Sequence, residues 1–287
     1  MSDLLQYLVS GLAVGCGFAL LASGLVTVHR VSGTVNFAQG MFAVVAGLAA
    51  GSFLSAGLPH GVAEIAAVAA AGAVGLLTGL IATGKPGTGP RAALIITLGL
   101  GFVAYAVEIM VWGDGPRSHP GLGGTIQLGG AYVQKQHLLV IAATALVFTA
   151  LGLFFSRTYL GKALSAAASN PYAARAVGMN VTRMGLAAFA LGGVLGGTAG
   201  VLLTPMLPIS FNSDVLLITN GFAAAILGGL NRPGLALAGA LTLGVAEALV
   251  AGYLDASYQT VVALILMLAI MIWQASRRTA LDLEAAR

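Results

Sequence analysis

The side chains that could do chemistry in this sequence are polar groups within long apolar segments. Glu247 lies in the stretch LGVAEALV, near the middle of one such segment. A carboxyl group there must be protonated, paired or in contact with water, so it is a candidate ion or proton site. It can equally be a structural group that holds two helices together by a hydrogen bond. Asn220, in a shorter apolar segment, leaves the same two possibilities open.

A second candidate group lies in the stretch VNFAQG, where another apolar segment begins. The amides of Asn36 and Gln39 both donate and accept hydrogen bonds, so they can cap a helix end or line a polar path. Gly33 and Gly40 on either side indicate a tight or broken backbone. The two interpretations, a cap and a path, are equally compatible with these residues.

Enzymatic and metal-binding constellations are not predicted. The stretch GLIATGK, residues 79–85, is similar to the start of a phosphate-binding loop, but Pro86 stands where Ser or Thr would coordinate magnesium. The single cysteine, Cys16, cannot form an internal disulfide. We therefore predict no enzyme activity, no cofactor and no metal. The four histidines lie at the edges of apolar segments, without the paired spacing of a zinc site: His29, His60, His119 and His137.

Membrane-spanning helices must position these groups. The chain has 287 residues, of which 58% are hydrophobic and only 8% charged, whereas soluble domains carry about 25% charged residues. Because about 20 apolar residues span the hydrocarbon core, we predict an all-α, polytopic membrane protein with eight or nine transmembrane helices in a single domain, residues 1–287. The nine candidate spans are about 4–28, 37–58, 61–84, 91–112, 137–155, 186–206, 215–230, 234–253 and 257–275.

The basic residues predict the orientation of the chain. If the segment 157–183 and the tail 277–287 are cytoplasmic, eleven basic residues lie on that side and only two, Arg117 and Lys135, lie outside. The N-terminus then faces outward with nine spans and inward with eight. The eleven residues are Arg30, Lys85, Arg91, Arg157, Lys162, Arg175, Arg183, Arg232, Arg277, Arg278 and Arg287.

The outer segment 113–136 is rich in glycine and contains two prolines, so we expect a loop with little regular structure. It is either a simple connector or a docking surface for an extracytoplasmic partner.

The segment 157–183 is the longest polar interruption of the chain and has no acidic residue. Thr158 can cap a helix that runs to about Ser169, and Asn170 with Pro171 can begin a second short helix. Gly178 can end that helix. The two helices can lie on anionic lipid or can dock a soluble subunit, and their composition does not distinguish these interpretations.

Three blocks of the sequence resemble the permeases of branched-chain amino acid ABC transporters. The first is GKALSAAASNPYAARAVGMNVTRMGLAAFALGGVLGGTAGVL, the second is NFAQG, and the third is AAAILGGLNRPGLALAGALTLGVAEAL. They occur in the order of that family and span most of residues 10–270. In NFAQG, Gln39 stands where the family usually has histidine.

The resemblance implies a permease subunit of a binding-protein-dependent importer in the bacterial cytoplasmic (inner) membrane, with a cytoplasmic C-terminus. The partners that it implies are the lipid bilayer, a second permease subunit that forms a heterodimer with this chain, two cytoplasmic ATP-binding subunits and an extracytoplasmic solute-binding protein. Nucleic acid is not an expected partner. ATPase coupling is then expected at Gly161, Lys162, Asn170, Pro171, Arg175 and Gly178. A substrate path, or the hinge beside it, is expected at Asn36, Phe37, Gln39, Gly40, Asn220 and Glu247.

The solute is expected to be a branched-chain amino acid or a related small polar molecule. The alternative function is that of an ion-coupled secondary transporter that uses Glu247 and needs no partner subunits.

Overall fold

Long apolar helices dominate the computed structural model, so the chain is a helical membrane protein. Among the described residues, six helices are long and apolar enough to cross a membrane. They are α1 (Ser2–Ser32), α3 (Val62–Thr83), α4 (Pro90–Trp112), α5 (Lys135–Arg157), α8 (Val181–Leu203) and α10 (Pro233–Tyr253). The structure describes residues 2–83, 88–128, 130–230 and 233–285.

In the described part of the chain, three further apolar helical stretches are shorter. They are α2 (Gln39–Ser55), α9 (Ser213–Leu227) and the apolar part, Val261–Ile272, of α11 (Gln259–Ala285). With 17 and 15 residues, α2 and α9 fall below the length of about 20 residues that a straight crossing needs. All nine predicted segments are helices, and the number that cross the membrane completely stays a prediction.

The short helix α2 begins inside the bundle. α1 ends at Ser32, and residues 33–38 run back along it without helical structure. Gln39 then lies beside Gly24 of α1, roughly 12 Å before the end of α1 at 1.5 Å per residue. Irregular backbone at this depth needs hydrogen-bond partners within the protein.

The core forms around α1, which packs against α8 and α10, while α8 also packs against α2 and α3. A Cβ atom at Gly244 of α10 would meet the backbone of Gly11 and Gly15, so small residues allow close helix contact there. In the most apolar stretch of α1 89% of the residues are buried, against 11% in α4 and 17% in α5. The outer faces of α4 and α5 are therefore left for lipid or a partner subunit.

Helix ends divide the molecule into two sides. The end of α1 packs against α6 (Tyr159–Ser169), since Val31 shares a buried cluster with Leu164 and Ala167. The N-terminus of α1 is therefore on the side opposite to residues 157–183. Lys135, the first residue of α5, also lies on that opposite side, whereas Arg157 ends the same helix.

This division agrees with the predicted grouping of basic residues for the part of the chain that the structure describes. Lys85, Pro86, Arg232 and Arg287 lie outside the described residues, as does the end of the GLIATGK stretch. Arg277 and Arg278 belong to α11, whose first residue, Gln259, lines a cavity with Tyr7 near the N-terminus.

The prediction that residues 113–136 have little regular structure is wrong. They contain an antiparallel hairpin of β1 (Thr125–Leu128) and β2 (Ala131–Gln134), with Thr125 opposite Gln134 and Leu128 opposite Ala131. The signal was present in the sequence, because a Gly-Gly pair between two short β-prone runs is typical of a tight hairpin.

A one-turn 3₁₀ helix (Ala256–Tyr258) connects α10 to α11.

Candidate functional site

The start of α2 is held by a buried pair of amides. Gln39 is 1% exposed, and its Nε2 donates to the carbonyl oxygen of Gly192 in α8 at 2.9 Å. Its Oε1 accepts a hydrogen bond of 3.4 Å from the Nδ2 of Asn36. The Asn36 Oδ1 in turn accepts from the backbone N–H of Ala38 at 3.1 Å. The amides thus satisfy both the irregular backbone and each other, as buried polar groups require.

Three glycines make room for the Gln39 side chain. A Cβ atom added to Gly24 in α1 would collide with the Gln39 amide. Cβ atoms at Gly192 and Gly196 in α8 would lie 3.3 Å and 2.9 Å from its side-chain atoms. We call Asn36, Gln39 and these glycines the Gln39 clamp.

Phe37 and Gly40 extend the contacts of the clamp to α4 and α9. The backbone N–H of Phe37 donates to Thr97 Oγ1 in α4 at 3.3 Å, and its ring stacks on Phe222 in α9 with centroids 5.4 Å apart. Gly40 faces the backbone carbonyl of Asp214 at the start of α9. Asn36, Phe37, Gln39 and Gly40 therefore lie together at a junction of five helices, and none of them lines a cavity described below.

A separate site contains Asn220 and Glu247. They line a cavity of about 410 Å³ between α1, α9 and α10. Asn220 is 2% exposed and Glu247 is 5% exposed, and both the Asn220 Oδ1 and the Glu247 Oε1 lack a hydrogen-bond partner among the described residues. The site is thus separate from the Gln39 clamp and presents unsatisfied acceptors.

The remaining lining of this cavity, which we call the outer cavity, is mainly apolar. The residues of α1 that line it lie in the first half of that helix, away from residues 157–183. The apolar and aromatic lining includes Tyr7, Val14, Phe18, Leu216 and Leu217.

Glu108 of α4 is a buried acid that was not among the predicted site residues. Its side chain is 1% exposed, and both carboxylate oxygens lack a partner among the described residues. The signal was available, because the rule that singled out Glu247 applies to any acidic residue within a span. In contrast to Glu247, Glu108 does not line the outer cavity.

The two short helices predicted in residues 157–183 are present with their predicted ends. Thr158 Oγ1 accepts from the N–H of Gly161 at 3.0 Å and caps α6. Asn170 Oδ1 accepts from the N–H groups of Tyr172 and Ala173 and caps α7 (Pro171–Ala176). Gly178 has a φ of +85°, the left-handed conformation that commonly ends a helix.

The α6–α7 segment buries one face and exposes the other. Leu164 and Ala167 pack against Val31 of α1 and Ala188 of α8. Gly161 lies against the backbone of Phe154 and Phe155, where a side chain would not fit. The exposed side, which we call the basic face, carries Tyr159, Lys162, Tyr172, Arg175 and Val177.

A second cavity, of about 800 Å³, lies behind the basic face. It separates α7 from the end of α1, from the end of α3 and from the start of α4. Arg30 and Arg175 line it together with Thr34, Thr83 and Thr88. The space leaves α7 with few contacts on its inner side.

On the opposite side, the loop before the hairpin closes over α3, α5 and α8. Gln136 Oε1 accepts from the N–H of Leu122 at 2.9 Å, and its Nε2 donates to the carbonyl oxygen of Leu202 at 3.2 Å.

Burial lowers the pKa of His119, so the neutral ring prevails at neutral pH. The described residues contain no group of three or more His, Cys, Asp or Glu side chains that could hold a metal ion.

Related sequences match this chain over nearly its whole length. Residues 7–271 match the family described as the permease component of the branched-chain amino acid transport system. The chain is 29% identical to the high-affinity branched-chain amino acid transport system permease protein BraD of Pseudomonas aeruginosa, over 94% of both chains. It is 26% identical to the corresponding LivH protein of Escherichia coli K12, over 93% of this chain and 92% of that one.

A solved structure has a similar fold. It is PsaBC from Streptococcus pneumoniae in complex with Fab, with a TM-score of 0.52 at 15% sequence identity. The match covers 94% of this chain and 91% of that chain. At this identity the match supports the helical permease fold alone. The relatives give no support to the ion-coupled alternative.

Proposed function

Because the chain belongs to the branched-chain amino acid transport permease family, we propose that it is one membrane-spanning subunit of an ATP-driven importer in the bacterial cytoplasmic membrane. Permeases of such importers generally work with a second permease, an ATPase and a binding protein. Here the second permease is a similar chain in a heterodimer, two ATPase subunits bind in the cytoplasm, and a solute-binding protein delivers the solute from outside. The solute is a branched-chain amino acid or a related small polar molecule.

The basic face is the observation that supports docking of an ATPase. Its tyrosines and Arg175 belong to the residue types enriched at protein interfaces. Tyr172 is 81% exposed and Val177 is 77% exposed, and grouped exposed apolar side chains are typical of an interaction surface. We place this side of the molecule, with the C-terminus, in the cytoplasm.

Capped helices and an open inner space make the α6–α7 segment suitable for coupling. Asn170, Pro171 and Gly178 define the ends of α7, so the helix can move as a unit. The cavity behind the basic face gives it room, while Leu164 of α6 connects it to α1 and α8. ATP-driven movement reaches the transmembrane helices by this route, provided that the ATPase binds the two states of the permease differently.

Two groups of polar residues serve the transmembrane path in this proposal. The Gln39 clamp is the hinge, because it joins α2 to α1, α4, α8 and α9 at one point. Asn220 and Glu247 line the path itself. The outer segment 113–136, with its hairpin, docks the solute-binding protein.

Charge reversal on the basic face tests the docking proposal. In the assembled transporter, Lys162→Glu combined with Arg175→Glu should reduce co-purification of the ATPase at least tenfold. The two introduced glutamates would repel the surface that the exposed cations now attract. Lys135→Glu, at the opposite end of α5, is the matched control and should retain the ATPase. A stoichiometric complex from the double variant would exclude this docking surface.

The lipid interpretation predicts a different outcome for the same double variant. If the basic face lies on anionic lipid, the variant should keep its ATPase and lose affinity for vesicles that contain anionic lipid. Binding of both variants to such vesicles, measured beside the co-purification, separates the two roles.

A further inference from the structure

Two buried hydrogen-bond acceptors of residues that line the outer cavity have no donor partner among the described residues. The Glu247 Oε1 and the Asn220 Oδ1 have no partner among the described residues, and both side chains are more than nine-tenths buried. The described residues that line the cavity include no Lys, Arg or His. Unpaired buried acceptors reduce stability, so a donor supplied from outside the chain is the simplest partner for them.

We propose that the outer cavity is a subsite for the ammonium group of an amino acid solute, and that Glu247 and Asn220 are the acceptors that bind it. An ammonium group has three donors and no acceptor, which complements a carboxylate and an amide oxygen. Hydrogen bonds to charged groups are stronger than neutral ones. This inference rests on the proposed function and adds the chemical group that the path recognises.

The remaining lining suits an aliphatic side chain. Tyr7, Val14, Phe18, Leu216 and Leu217 provide apolar surface next to the two acceptors. The volume of about 410 Å³ falls within the range of small-molecule sites, roughly 300–1,000 Å³. A branched-chain amino acid carries both features, an ammonium group and a short aliphatic chain.

The position of the cavity fits an early step of import. It lies along the first half of α1, on the side opposite to the basic face. A solute released by the binding protein enters from that side. The cavity therefore receives the solute before the helices move, and the Gln39 clamp lies deeper along α1.

The first experiment measures leucine uptake by proteoliposomes that contain the whole transporter. Glu247→Gln should raise the KM for leucine about tenfold or more, since it removes the charge that binds the ammonium group. Glu247→Asp, which keeps the charge, should recover most of the uptake. The matched control is Glu108→Gln, another buried glutamate of a transmembrane helix that does not line this cavity.

Other outcomes of this experiment overturn the inference. One is unchanged leucine uptake by Glu247→Gln. Another is equal loss with Glu247→Gln and Glu247→Asp, which would show a role in packing rather than in charge. If the wild-type transporter moves no amino acid in the presence of ATP, the proposed function fails and the second experiment still examines the cavity.

The second experiment needs no transport. It compares how isopentylamine and 4-methylpentanoate change the unfolding temperature of the wild-type complex. The two compounds share an aliphatic chain but carry an ammonium and a carboxylate group. Only the amine should raise the temperature, by mass action on the folded state, and Glu247→Gln should abolish that shift. An equal shift by both compounds, or a shift by the acid alone, would overturn the inference even if the variant does not fold.

Discussion

The Gln39 clamp and the outer cavity both contain polar side chains inside a bundle of apolar helices, but the hydrogen bonding of these side chains differs. The amides of Asn36 and Gln39 bond to each other and to the backbone, and glycines close the space around them. Asn220 and Glu247 line a cavity, and each has an acceptor oxygen that is unpaired among the described residues. Polar groups with partners hold an irregular backbone in place, whereas polar groups without partners leave a place for a ligand.

The largest expected effect comes from filling the space that the clamp occupies. Gly24→Leu would place a branched side chain where the Gln39 amide lies, and the surrounding helices cannot move apart without losing core contacts. We expect a loss of more than about 3 kcal/mol of unfolding free energy, seen as failure to accumulate in the membrane.

The same substitution in α4 is the matched control. A Cβ atom at Gly99 would meet nothing within 4 Å, so Gly99→Leu should accumulate like the wild type. Normal accumulation of Gly24→Leu would show that the clamp tolerates repacking. The clamp would then be no more rigid than the outer cavity.

A smaller effect is expected from removing the Gln39 amide. Gln39→Ala loses the hydrogen bond to the Gly192 carbonyl, leaves Asn36 Nδ2 without its acceptor and opens a void. Together these changes should lower the unfolding free energy by about 2–4 kcal/mol. Denaturant titration of the purified complex in mild detergent measures it.

A double-mutant cycle makes this test specific to the clamp. Gly24→Ala alone should destabilise, because the new methyl group collides with the amide, but it should cost less in the Gln39→Ala background, where the collision is gone. The coupling should be about 1 kcal/mol or more, and additive effects would contradict the contact.

Much of the architecture follows from residues that act locally. Thr158, Asn170 and Gly178 define the ends of α6 and α7 by capping and by a left-handed φ, and the same chemistry is readable in the sequence. The apolar segments can be predicted for the same reason, because the composition of each segment by itself indicates an apolar environment.

Features that depend on contacts between distant segments could not be predicted in this way. Gln39 and Gly192 are 153 positions apart, so the sequence left a cap and a path equally possible for the amides. The convergence of Asn220 and Glu247 on one cavity likewise depends on how α9 and α10 pack. The hairpin of β1 and β2 and the buried Glu108 are different, because their local signals were present and were missed.

The smallest expected effect compares the two buried glutamates. Glu108→Met replaces a carboxyl group, which is unpaired among the described residues and outside the outer cavity, with an apolar side chain of similar length. It should raise the unfolding free energy by about 1 kcal/mol, because the cost of burying an unpaired polar group disappears. Glu247→Met should raise it by less than about 1 kcal/mol, because only one oxygen of Glu247, its Oε1, is a buried acceptor without a partner among the described residues.

The two variants should differ most in transport, measured as leucine uptake by the same preparations. Glu108→Met should retain uptake, since Glu108 does not line the outer cavity, and Glu247→Met should lose it while remaining folded. If Glu247→Met instead destabilises the protein as strongly as Gln39→Ala does, Glu247 is a structural group like those of the clamp. The distinction between paired and unpaired polar groups would then fail as a guide to function in this molecule.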